Sequence, residues 1–140
     1  MTNVYIKIKG TQGLNGEKSV VELSTLGTIE ECGNGYLLKY EENEISENTK
    51  VFTTISVKHG NHAVLERSGD MTSRFVITEG ERNQCIYQIP EGHLSLGIYG
   101  KSVKYSLSPA GGMIKMQYTL DSNLQPISEN TVEITVEARD

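Results

Sequence analysis

Apolar and polar residues alternate with a period of two along almost the whole chain, and no window sustains the i, i+3, i+4, i+7 pattern of an amphipathic helix. Successive side chains of a strand point to opposite faces, so each alternating run presents an apolar face that needs a core. Such runs include Val4, Ile6 and Ile8; Val21 and Leu23; Tyr36, Leu38 and Tyr40; and Val51, Thr53, Ile55 and Val57. They continue through Val64 to Ser68, then Phe75 and Ile77, then Cys85, Tyr87 and Ile89. The second half is the most regular: Leu94, Leu96 and Ile98; Val103, Tyr105 and Leu107; Ile114, Met116, Tyr118 and Leu120; and Val132, Ile134 and Val136. These last four runs read as four strands.

Turn-forming clusters separate the runs at intervals of about eight to fourteen residues. They are Gly33-Asn34-Gly35, His59-Gly60-Asn61, Ser68-Gly69-Asp70, Glu79-Gly80-Glu81, Pro90-Glu91-Gly92, Ser108-Pro109-Ala110-Gly111-Gly112 and the stretch from Ser122 to Pro126. Connections this short join antiparallel neighbours, because a parallel crossover takes a dozen residues or more. The chain therefore reads as an all-β antiparallel meander of nine or ten strands. Half-apolar strands must hide one face and protect their edges, either by closing on themselves or by stacking as two sheets. Hairpin-length connections leave little room for Greek-key crossovers, so a closed β-barrel is the expected architecture. With 140 residues, 15.5 kDa and no linker, repeat or low-complexity tract, residues 1–140 are expected to form a single domain. The acidic stretch from Glu41 to Lys50 reads as a solvated connection, either a loop or a short helical turn.

Charge excludes one class of partner. Thirteen basic residues are scattered among 18 acidic ones for a formal net charge of −5, so no nucleic acid is expected as a partner. The longest run without a charged residue, Tyr105 to Ile114, is ten residues, against the ~18 of a spanning helix, and no membrane partner is expected either. The start of the chain alternates like a strand and lacks the basic and apolar regions of a secretory signal. Cys32 and Cys85 are lone cysteines with no C-x-x-C pairing, so a cytoplasmic protein with free thiols is expected.

Motifs with chemical meaning are few. Gly100-Lys101-Ser102 ends like a phosphate loop, but Ser95 stands where that loop needs its first glycine, and no helix is expected to follow. His59 and His62 flank a tight turn without a third metal ligand nearby, which reads as a solvated hairpin. Cys85 shares a face with Tyr87 and Ile89 and reads as a small buried hydrophobe. There is no nucleophile elbow. No cofactor is expected.

The most informative segment is Leu65-Glu66-Arg67-Ser68-Gly69. Alternation places Ala63, Leu65 and Arg67 on one face; if that face is the inner one, Arg67 points into a barrel end, where a charge needs a partner or a ligand. Tyr36, Tyr40, Tyr87 and Tyr118 occupy apolar-facing positions, and a buried tyrosine hydroxyl finds a partner. Arg67, Tyr40, Tyr87 and Tyr118 are therefore the candidate ligand-binding residues, suited to a small anionic or planar molecule. The alternative is an Arg67 that is exposed or paired with a glutamate such as Glu41, with the tyrosines as ordinary core. Gly97 is expected to leave room for a cavity.

Several strings together resemble a family. Gly35-Tyr-Leu-Leu-Lys-Tyr-Glu-Glu42, the Leu65 to Gly69 strand end, Tyr87-Gln-Ile-Pro-Glu-Gly-His-Leu94 with Leu96-Gly97-Ile98, Gly111-Gly112 leading to Tyr118, and the run from Ile127 to Val136 look like the YwiB-like family of uncharacterised bacterial proteins. The resemblance implies a calycin-type, lipocalin-like β-barrel in the bacterial cytoplasm. It implies no substrate, cofactor or catalytic residue. Three functional readings follow: a non-enzymatic barrel that binds a small ligand, a filled barrel that serves as a structural or protein-interaction module whose unclosed edge can pair with another protein or with a second copy as a homo-oligomer, and a hydrolytic enzyme. For the last, the sequence offers three histidines and no base-and-nucleophile constellation.

Overall fold

In the computed structural model the alternation becomes ten antiparallel strands: β1 (Thr2–Leu14), β2 (Glu17–Cys32), β3 (Gly35–Glu42), β4 (Val51–Lys58), β5 (His62–Gly69), β6 (Ser73–Thr78), β7 (Arg82–Ile89), β8 (Gly92–Ser108), β9 (Gly111–Ser122) and β10 (Gln125–Ala138). The structure describes residues 2–14, 16–42, 51–59, 61–69, 73–89 and 92–139, without the side chains of 14, 42, 69 and 87–89. Residues 43–50 of the acidic stretch, and the turn positions 70–72 and 90–91, lie outside the described residues. Each strand pairs with the next in sequence, and β10 returns to β1, so the meander closes into a barrel. No described helix is long and apolar enough to cross a membrane.

The inward positions are those the alternation marks. Ile6, Ile29, Leu38, Ile55, Ile77, Ile98, Ile114, Met116 and Ile134 are almost wholly buried and form one continuous core. Two of the expected strands prove to be one. The runs at Leu94–Ile98 and Val103–Leu107 both lie on β8, although their apolar positions switch from even to odd numbers. Opposite β9, Gly100 pairs with Tyr118 and Ser102 with Gln117, so Lys101 is an extra residue, and this bulge turns both halves of the strand inward. A side chain at Gly100 would run into the Thr78 carbonyl, which is why a glycine stands there. The Gly-Lys-Ser string is thus a strand irregularity. A second register shift in β10, between Pro126 and Ser128, does the same at Ile127.

The seam between β6 and β7 is thin. Ser73 and Tyr87 are the one ladder pair across it among the described residues. The turn joining these strands bonds instead to the β8 bulge: Gly80 N–H donates to Gly100 O at 2.8 Å and Gly100 N–H to Glu81 O at 3.1 Å. Glu79 strengthens the same corner, accepting from Asn61 Nδ2 at 2.7 Å and Val103 N at 3.2 Å and pairing with Lys104 Nζ at 3.0 Å.

In a meander, alternate connections lie at opposite ends. The turns after β2, β4, β6 and β8 gather at one end, where Tyr36 and Tyr105 meet edge to face at 6.4 Å above the filled core. His62 bonds there with Thr78, Nδ1 to Oγ1 at 2.7 Å, and His59 is exposed, so the two histidines are hairpin residues. The other end is the mouth.

Gly97 corrects an expectation. It lies on the outer face of β8, where the Arg82 guanidinium crosses above it to Asp121, Nη2 to Oδ1 at 2.6 Å and Nε to Oδ2 at 3.0 Å. The missing side chain makes room for this bidentate pair and not for an interior cavity. Gly97→Ala is expected to displace the guanidinium, the flexible end of a partly exposed side chain, and to cost at most about 1 kcal/mol in denaturant unfolding; a larger loss would show that Arg82 cannot swing aside.

The Lys104, Asn61 and Val103 contacts hold the Glu79 carboxyl below its ordinary value of 4.5, and the Arg82 pair holds Asp121 below 3.8. Carboxylates lowered in the folded state contribute stability that is complete above those ordinary values and is lost as pH falls toward the folded-state ones. Glu79→Gln is therefore expected to flatten the fall in melting temperature between about pH 5 and pH 3. A variant curve parallel to wild type would assign acid sensitivity elsewhere.

Candidate functional site

A barrel's diameter grows with strand number, and about eight strands enclose just enough room for their own side chains. With ten, the interior is filled only where the inward residues are large. Toward the mouth they include Gly10, Thr53 and Ser73, and a cavity of about 530 Å³ opens there. Ile8, Leu23, Leu94, Leu120, Val132 and Ile134 supply an apolar wall. Tyr40, Thr53, Arg67 and Ser73 supply a polar one.

Register explains the polar wall. Tyr40 is opposite Thr53, Thr53 opposite Arg67, Arg67 opposite Ser73, and Ser73 opposite Tyr87, so one cross-strand row runs from β3 to β7. Residues directly opposite on one face lie close enough for their side chains to act together. Tyr118 enters from β9, and the Arg67 charge reaches its hydroxyl. The structure thus brings Arg67, Tyr40 and Tyr118 to one cavity. Tyr87 belongs to the same row by its backbone, and its side chain lies outside the described residues. Tyr36, on the same face as Tyr40, is at the closed end with Tyr105.

Thr53 is the residue that sequence reasoning passed over. It is 4% exposed, and its Oγ1 finds no hydrogen-bond partner among the described residues. A buried hydroxyl left unsatisfied costs about 1–3 kcal/mol. Its signal was visible: Thr53 is the single polar residue in the inward series Val51, Thr53, Ile55, Val57.

Burial pushes the Tyr118 phenol up from its ordinary value, with the Arg67 charge opposing. The phenol is therefore a protonated donor at neutral pH. Burial likewise pushes the Cys85 thiol up, against a backbone hydrogen bond from Leu96, so this inner-wall cysteine is a poor nucleophile. Cys32 and Cys85 are both free. Among the described residues no group of three or more His, Cys, Asp or Glu side chains is placed to hold a metal ion. Among the described residues the cavity rim is apolar, with Val21, Leu94 and Ile127 exposed. A groove of about 410 Å³ beside Tyr5 and Leu26 lies on the outer wall, away from all of these groups.

The molecule is thus a ten-stranded meander barrel with a cup at one end, apolar on one wall and polar on the other. Residues 6–134 match the family described as a domain of unknown function (DUF1934), and the chain belongs to that family. The fold is similar to that in the crystal structure of ywiB protein from Bacillus subtilis, with a TM-score of 0.87 and 24% identity over 99% of this chain and 93% of that one. The resemblance carried by the turn and strand-end strings therefore holds for family and fold. No curated protein matches the chain.

Thr53→Val keeps the shape and removes the unsatisfied hydroxyl. It is expected to leave stability unchanged or raise it by about 1 kcal/mol; a clear loss in chemical denaturation would show that the hydroxyl is bonded in solution.

Proposed function

We propose that this chain is a non-enzymatic binding barrel that holds one small molecule in the cavity at its mouth. The observation that carries the reading is the convergence of Arg67, Tyr40, Tyr118 and the unsatisfied Thr53 hydroxyl on an otherwise apolar cup. Ligand sites combine a mostly apolar concave wall with a few polar groups that fix orientation, and the volume of about 530 Å³ suits one molecule of modest size. The described lining residues offer donors and one cation and no carboxylate, imidazole or thiol, a set suited to holding a molecule rather than moving its protons. A cytoplasmic location accompanies this reading, supported by the two free cysteines.

A second reading, a module that pairs with another protein or a second copy, draws on the thin β6–β7 seam, where Ser73 and Tyr87 are the one ladder pair among the described residues. Its filled barrel is disfavoured by the cup.

Native mass spectrometry of the gently purified protein separates the two. The expected result is an added mass that disappears on denaturation and is absent from Gly10→Leu. A Cβ at Gly10, which lines the cup, meets nothing nearer than the Val21 carbonyl oxygen at 4.0 Å. A clean apo mass for wild type, together with dimer or partner peaks, would overturn binding in favour of the interaction module.

A further inference from the structure

We infer that the ligand is an amphiphile with a single anionic head group, seated on Thr53, Arg67 and Tyr118, its apolar body lying along the wall of Ile8, Leu23 and Ile134. The inference rests on the binding reading above and specifies what is bound.

The polarity of the cup is divided by wall, and one ligand must satisfy both. The β1, β2 and β10 side presents Ile8, Leu23, Val132 and Ile134 to the cavity. That side rewards apolar surface removed from water. Hydrogen-bond donors come from β4 and β5 on the facing side and from Tyr118 on β9, next to β10. Arg67 has only donors; the Tyr118 phenol is protonated; the Thr53 hydroxyl has a hydrogen to give and no described acceptor. Three donors, one of them cationic, suit an oxyanion, because donors that meet a charged acceptor form the stronger hydrogen bonds. A neutral alcohol head would engage these groups more weakly.

Thr53 supplies the independent argument. A hydroxyl so deeply buried without a partner among the described residues destabilises the empty barrel, and valine would fit the same space. Groups that weaken the folded state concentrate where binding uses them. Thr53 sits between Tyr40 and Arg67 in the cross-strand row, which makes its hydroxyl the nearest neighbour in register to a head group held by Arg67. Carboxylate and phosphate heads share this chemistry.

Titration calorimetry with decanoate, decyl phosphate and decanol tests the inference on the full chain. At least one anionic probe is expected to bind with 1:1 stoichiometry and at least tenfold more tightly than decanol. Thr53→Val and Tyr118→Phe are each expected to weaken anion binding several-fold and decanol binding less, narrowing that preference, with melting curves confirming that both variants fold. Gly10→Leu is expected to abolish binding of all three. Preference for decyl phosphate over decanoate, or the reverse, supports the inference and assigns the head group. Equal binding of decanol and the anions overturns it, as does equal weakening of both in Thr53→Val, or binding that survives Gly10→Leu. If no probe binds while the native adduct persists, the anionic assignment falls and the binding barrel stands. If no probe binds and no adduct is seen, both fall.

Discussion

The ladder between β10 and β1, continuous from Val4 opposite Ala138 to Gly13 opposite Glu129, closes the sheet and sets its circumference. Closure removes the exposed edge that a ten-stranded meander would otherwise present along its whole length. It also divides the alternating side chains into an inside and an outside. Because ten strands enclose more space than eight, close packing along the whole axis would need large residues at every inward position. The chain supplies them at one end only. Ile29, Leu38, Ile77 and Ile114 fill that end, while Gly10, Thr53 and Ser73 leave the mouth hollow.

Two bulges keep this division consistent. Without the extra residue at Lys101, one half of β8 would turn Val103, Tyr105 and Leu107 to solvent, because a one-residue slip sends every side chain to the other face. The shift at Ile127 does the same for β10, keeping Val132, Ile134 and Val136 inside. Outside, Arg82 and Asp121 span β8 above Gly97, and Glu79 ties the β6–β7 turn to β5's leading turn and to β8. The Glu79 contacts lie at the turn of the sparsely paired β6–β7 seam and tie it to its neighbours.

Much of the fold was legible because its determinants are local. The period-two pattern identified the strands and nearly all of their inward residues, and the turn clusters made the meander the simplest topology. The β8 bulge escaped because a change of phase looks the same in sequence whether a strand ends or an extra residue is inserted. Gly97 was misread for a similar reason: a glycine shows that space is needed, and only the neighbouring strands show on which face. Of the cavity lining, Arg67, Tyr40 and Tyr118 were placed on the inward face by parity. Thr53 was not singled out, because threonine is common in strands and its missing hydrogen bond is a property of the assembled wall.

By itself the sequence determined an all-β chain, its inward and outward faces and the set of polar residues available to the interior. These follow from alternation and turn chemistry, which act over a few neighbouring residues. Tertiary structure alone decided that Tyr36 goes to the filled end while Tyr40 goes to the cup, that Tyr118 comes within the field of Arg67, and that the barrel is wide enough to be hollow. Those outcomes depend on strand number, register and closure between segments far apart in the chain, where no local pattern acts.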